Sequence, residues 1–197
     1  MGKSEGRPRE TARLDTPPAD RGTILDAAHQ VLLHTGAKGL KLDAVAREAR
    51  VDVSTVLGHF GSRQGLIEAL MDRLYASPAA GLAADTASLP AVEERWRAYL
   101  KQVRRMHGDQ EATEAYFDLA VLALRDPELR ARLGRLNVKT ARGFREVIGA
   151  GPDALAELIL AAVDGIELRR ALAGDDYPID AVLGLLDRMA LTEYLRD

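Results

Sequence analysis

Apolar residues recur at three- and four-residue spacing through most of the chain, the period of an amphipathic helix. No segment sustains the two-residue alternation of a strand, so the pattern predicts an all-α protein of about nine helices. Ile24, Ala27, Ala28, Val31 and Leu32 mark one face of a first helix, with Asp20 placed to cap it and Gly36 to end it. Leu42, Val45, Ala46 and Ala49 form the inward stripe of a second, and Val56 with Phe60 the core face of a third. Between these two lies only Arg50-Val51, with Val51 expected in the core and Asp52 expected to cap the third helix through its side chain. Two short helices joined so tightly predict a helix-turn-helix whose second member presents small and polar groups outward. Ser62 then caps a fourth helix expected to run to about Ala76.

Punctuation divides the chain into three parts. Residues 1–19, with Pro8, Pro17 and Pro18, read as a flexible N-terminal arm whose Arg7, Arg9 and Arg13 suit either a solvated tail or a minor groove. Residues 20–76 read as the DNA-binding domain with its connecting helix. A boundary loop from Ser77 to Leu89, containing Pro78 and Gly81, opens a larger helical domain over 77–197. Five helices are expected there: Ala91–Met106, Gln110–Arg125, Glu128–Ile148, Asp153–Ala173 and Ile179–Leu195.

Ile24 to Ala28, Gly36, Val45-Ala46, Val51, Thr55-Val56, His59-Phe60, Ser62-Arg63 and Leu66 together resemble, in order and spacing, the reading domain of TetR/AcrR-type transcriptional regulators. The likeness is dense over the first third of the chain. Beyond it there is only helical layout and the stretch from Arg125 to Arg130. The resemblance implies a homodimeric, ligand-responsive regulator, most simply a repressor bound to a pseudo-palindromic DNA operator and released by a small molecule. It places Ser54, Thr55, Gly58 and His59 at the bases or the sugar-phosphate edge, and Lys41, Arg50 and Arg63 on phosphates.

Four positions depart from the family pattern. Leu57 stands where a Tyr usually holds a phosphate, Lys41 where a Thr or Ser caps, and Arg50 and Ser54 where Gly is usual. The lost Tyr hydroxyl motivates an alternative reading, a protein of the same fold that works through a partner with weak or lost DNA binding. Lys41 and Arg50 supply cations that offset the loss.

The family layout also implies that the last two long helices pair with their copies in a partner chain. Leu158, Ala162, Gly165, Ile166, Val182, Leu186 and Met189 are the interface candidates, although the same faces would suit burial within their own domain. Two-fold pairing sets the recognition helices about 34 Å apart or slightly farther. An effector pocket is expected between the first two helices of the larger domain, from Trp96, Tyr99, Val103, Met106, His107, Tyr116, Phe117 and Leu119. Such rings suit a hydrophobic, aromatic or cationic molecule, with His107, Glu114 or Asp118 for polar selection; ordinary core is the competing reading of each.

Composition narrows the chemistry. With 47% hydrophobic residues among 197, the chain buries a substantial core, and no apolar run is long enough to span a membrane. With no secretory core at the N-terminus, a cytoplasmic protein is expected. The net charge of −3 falls mostly beyond residue 75, so the reading domain is not acidic. There is no cysteine, which removes disulfides, thiolate metal sites and cysteine nucleophiles. His29, His34, His59 and His107 have no metal-site spacing, and there is no phosphate loop, nucleophile elbow or acid/base pair. Neither enzymatic activity nor a cofactor or metal is expected.

Overall fold

The computed structural model describes residues 20–86, 88–106, 109–149 and 152–193, without the side chains of 76–85, 106, 153, 175 and 193. The expected arm lies outside them. The described residues form α1 (Arg21–Gly39), α2 (Leu42–Ala49), α3 (Val53–Phe60), α4 (Arg63–Thr86), α5 (Val92–Met106), α6 (Gln110–Arg125), α7 (Pro127–Ile148), α8 (Asp153–Ala173) and α9 (Ile179–Glu193), with one 3-10 turn at Gly174–Asp176. None of these helices is long and apolar enough to cross a membrane.

Two apolar cores hold the helices. The first joins Ile24, Leu25, Ala28 and Leu32 of α1, Val45 of α2, Val56 of α3, and Leu66, Leu70 and Met71 of α4. It also takes Ala115, Leu119 and Ala123 from α6 and Leu129 from α7, so the reading domain shares its interior with the larger one. The second core centres on Trp96, Tyr99 and Val103 of α5, Phe144 and Ile148 of α7, Ile159 of α8 and Leu183 of α9. Each fully buried Leu, Ile or Phe contributes about 1.5–3 kcal/mol relative to exposure. The cores therefore outweigh the local propensities.

Local signals mostly act as the sequence predicts. Asp20 accepts a hydrogen bond from the Thr23 N–H at 2.7 Å and caps α1. Asp126 accepts from Glu128 and Leu129, with Pro127 in the first turn of α7. The Ser62 hydroxyl accepts from Gly65 N at 3.0 Å.

Three local expectations need correction. α4 does not stop near Ala76: it runs to Thr86, through Pro78 and Gly81, so the expected limit at 76/77 falls inside one helix. Ala76, Ala79, Ala80, Ala83 and Ala84 are strong helix formers on either side of the two breakers, and they offset part of their cost. Asp52 takes the N-cap backbone conformation but makes no side-chain cap hydrogen bond. Val51 is half-buried, packed against the first core without entering it.

Polar contacts fix α4 against α7. Arg132 donates from Nε to Asp72 at 2.9 Å, from Nη1 to Glu68 at 3.0 Å, and from Nη2 to the second Asp72 oxygen. The Asp72 hydrogen bond leads the causes that raise the Arg132 pKa above its ordinary value. A two-pronged Arg–carboxylate contact of this kind constrains angle as well as distance.

Candidate nucleic-acid interface and effector site

The tight turn of the helix pair depends on one unusual residue. Arg50 ends α2 in the left-handed conformation, φ 57° and ψ 42°, and is the one non-glycine residue with positive φ among those described. That geometry lets Val51 N donate to Ala46 O at 2.9 Å and Arg50 N to Arg47 O at 3.2 Å, which closes the helix. A left-handed side-chain-bearing residue costs about 1–2 kcal/mol. Arg50→Gly is therefore expected to stabilise the free protein by about 1 kcal/mol while lowering the salt slope of DNA binding by about one unit. Thermal unfolding and binding at two salt concentrations check both halves.

α3 buries Val56 and leaves most of its other positions open. Ser54, Leu57, Gly58 and His59 are exposed and Thr55 is half-buried. A Cβ built on Gly58 would meet nothing within 4 Å, so the protein's own packing does not require Gly there. Val53 and Leu57 are exposed apolar groups on the same short helix. Lys41 is exposed just before α2, and Arg50 just after it.

Arg63 lies at the expected helix start, but its guanidinium has a second occupation. Nε donates to Leu40 O at 2.6 Å and Nη2 to Ala37 O at 3.0 Å. It thereby ties the start of α4 to the last turn of α1 and to Leu40 just after it. Arg21, which the sequence reading did not select, sets its guanidinium 4.9 Å from the Phe60 ring centroid at the end of α3. Its signal was weak, since a cation at the start of a helix opposes the macrodipole and reads as incidental.

The other side of the 36–41 segment is held from α6. Gly36 breaks α1 with φ 66° and ψ 179°, and the following Ala37 N–H donates to Asp118 Oδ2 at 3.0 Å. Asp118 thus anchors the reading domain from α6. Glu114 is exposed, with Oε1 accepting from Gln110 Nε2 at 2.8 Å.

The expected pocket residues separate. Trp96, Tyr99 and Val103 are buried in the second core, with the Trp96 indole N–H donating to Asp187 Oδ1 at 2.8 Å. Leu119 is buried in the first core. Tyr116 and Phe117 are half-buried neighbours with ring centroids 5.3 Å apart. His107 and the side chain of Met106 lie outside the described residues. A cleft of about 330 Å³ occurs elsewhere, lined by Arg169, Leu172, Ala173 and Tyr177.

The interface candidates also divide. Leu158 and Met189 are 61% and 55% exposed, and a Cβ at Gly165 would meet open space. Ala162 is half-buried. Ile166 is buried in its own second core, against which Val182 and Leu186 also pack, so these three face inward in the single chain. Leu168 and Leu172 were not anticipated, yet they are exposed, as is Leu185, which the spacing places on the apolar face of the last helix; Leu172 is 79% exposed.

Comparison with known proteins agrees with this arrangement. Residues 24–70 match a family described as bacterial regulatory proteins, tetR family, and residues 90–191 match the tetracyclin repressor-like C-terminal domain. The HTH-type transcriptional regulator BetI of Burkholderia thailandensis is 30% identical over 176 residues, covering 84% of this chain and 88% of that protein. A transcriptional regulator from Rhodococcus sp. shares the fold with a TM-score of 0.74 at 22% identity, over 92% of this chain and 100% of that one. The multidrug binding protein EbrR, complexed with imidazole, superposes with a TM-score of 0.68 at 26% identity, over 86% and 88% of the two chains. EbrR has also been solved with proflavin.

Proposed function

The chain belongs to the tetR family of bacterial regulatory proteins, and from that premise we propose that it is a cytoplasmic, homodimeric repressor of a pseudo-palindromic operator, released by a small molecule. The coarser statement, a DNA-binding transcriptional regulator, follows from the family itself. The observation that carries the finer reading is α3, which buries Val56 and holds Ser54, Gly58 and His59 open on a helix short enough to enter a major groove. Lys41, Arg50 and the remaining Nη1 of Arg63 supply phosphate contacts around it, and Arg21 adds one more.

The ligand-responsive part has its own support. Tyr116, Phe117 and Asp118 are consecutive on α6, and Asp118 holds the segment just ahead of α2. A molecule lodged against the two rings would shift the acceptor that positions the reading pair, so binding and release share one helix. EbrR, a relative in fold, binds small aromatic molecules.

Selection of bound fragments from random duplex DNA, followed by binding of the enriched sequence at two salt concentrations, tests the reading. An inverted repeat with half-sites about one turn apart and a steep salt slope is expected. No enrichment over a scrambled duplex would favour an interaction protein, a reading that the exposed Leu57 also motivates. Leu57→Tyr, which restores a phosphate-holding hydroxyl, is expected to tighten binding to the selected operator several-fold, read by titration of labelled duplex.

A further inference from the structure

α3 consists of eight residues, Val53–Phe60, and none of them is Arg, Lys, Asn, Gln, Asp or Glu. Those are the side chains that read guanine, adenine and cytosine through paired or charge-assisted hydrogen bonds in the major groove. The helix therefore has the hydroxyls of Ser54 and Thr55, the imidazole of His59 and any apolar groups left outside the core with which to read sequence. Two such apolar groups are present. Val53 is 38% and Leu57 39% exposed, one helical turn apart.

With Val56 and Phe60 turned to the first core, helical spacing sets Ser54 and Gly58 at the centre of the outward face. Val53 and Leu57 then lie on one flank, and Thr55 and His59 on the other. The centre is bare. Glycine weakens a helix relative to alanine, and nothing in the protein occupies the space that a Cβ on Gly58 would fill. A surface approaching from outside can therefore come close to the backbone there, which brings the side chains of both flanks down onto it. Val53 is the first residue of α3, and the N-terminal residues of a reading helix are the ones that meet base edges. Leu57 comes a turn later, toward the sugar edge.

We propose that Val53 reads thymine: its methyl groups pack on the 5-methyl group of one thymine in each half-site, and Leu57 extends the apolar contact onto an adjoining deoxyribose. Thymine is the one base whose major-groove edge carries a methyl group; the other three present donors and acceptors without one. A valine makes no side-chain hydrogen bond, so the methyl is the feature it can select. A protein partner would call for an apolar patch larger than two side chains, whereas the exposed cations Lys41 and Arg50 on either side of α2 suit the phosphates of a duplex. The proposal rests on the DNA-reading function above and deepens it by naming a base.

The test uses the operator selected as above, with each thymine in turn replaced by deoxyuridine in both half-sites, a change that removes the methyl and keeps every hydrogen-bonding atom. Titration of the full chain is expected to show one symmetric thymine pair whose two methyls together account for about tenfold in affinity. Val53→Ala, at an exposed position where alanine is the better helix former, should bind the thymine operator about tenfold less tightly and lose less than about twofold more on the deoxyuridine duplex. Leu57→Ala should weaken binding yet keep the full methyl dependence at that pair. A selected half-site without thymine, deoxyuridine duplexes that all bind within about twofold of the parent, or a Val53→Ala protein that keeps the full methyl dependence each overturns the assignment. An operator bound without methyl dependence refutes the assignment alone; no enriched duplex refutes the repressor reading and the assignment with it.

Discussion

Leu158→Glu combined with Met189→Glu is expected to leave the protein monomeric and to weaken operator binding by at least about 100-fold. Both side chains are more than half exposed on α8 and α9, where they share the outward side with Gly165, Leu168, Leu172 and Leu185. Leu158, Leu168 and Leu172, with Ala162 and Gly165 between them at three- and four-residue spacing, leave an exposed apolar face along α8 in the single chain. In the proposed homodimer, pairing the face with its own copy would give a four-helix seam and hold two copies of α3 at a fixed separation. A lone chain reaches only one half-site and loses the gain from tethering the second. Because neither residue belongs to a core, the monomer should keep its helical content. Sedimentation, circular dichroism and operator titration separate the possibilities. A double variant that is still dimeric would remove α8 and α9 from the interface.

Gly36→Ala is expected to cost about 2–4 kcal/mol, lowering the unfolding midpoint by roughly 5–15 °C. Two penalties act together. The backbone at φ 66° favours glycine, and a Cβ there would collide with the Asp118 carboxylate. Relief by moving Asp118 would cost the hydrogen bond to the buried Ala37 N–H. Gly58→Ala provides the contrast, since its Cβ meets open space in an ordinary helix; that change is expected to be neutral or stabilising by up to about 1 kcal/mol. If the two glycines behaved alike in thermal unfolding, the clamp between α6 and the segment ahead of α2 would have no energetic weight. Asp118→Ala removes the same acceptor without the backbone strain and should fall between them, with operator affinity reduced because residues 37–40 also anchor Arg63.

The helices were legible because each depends on its own sequence: the bounds of α8 coincide with the expected ones, and α6 does as well. Val45, Ala46 and Val56 are buried as their spacing predicts. α4 was misjudged because Pro78 and Gly81 were weighed singly against a run of alanines. What the sequence could not display was pairing across distance. The Asp118 contact with Ala37 spans 81 positions and the Tyr116 contact with Asp164 spans 48, and no local period signals either. Spacing and the family resemblance located the reading helix, whereas the effector candidates were chosen by residue type on the two helices where the resemblance implies a pocket. Residue type does not tell a ring in the second core from one beside a carboxylate, so Trp96 and Leu119 were grouped with Tyr116 although they lie in different cores.

Since the chain contains no cysteine, one can be introduced on α3 as a unique attachment point. Ser54→Cys, carrying an iron chelate that cleaves nearby DNA, is expected to cut the selected operator at two symmetric positions about one helical turn apart. The same chelate at Val138→Cys, on the exposed side of α7, should leave the duplex intact. Cleavage from position 138 as strong as from position 54, or no cleavage from position 54 on DNA that the protein demonstrably binds, would contradict α3 as the surface that reads DNA.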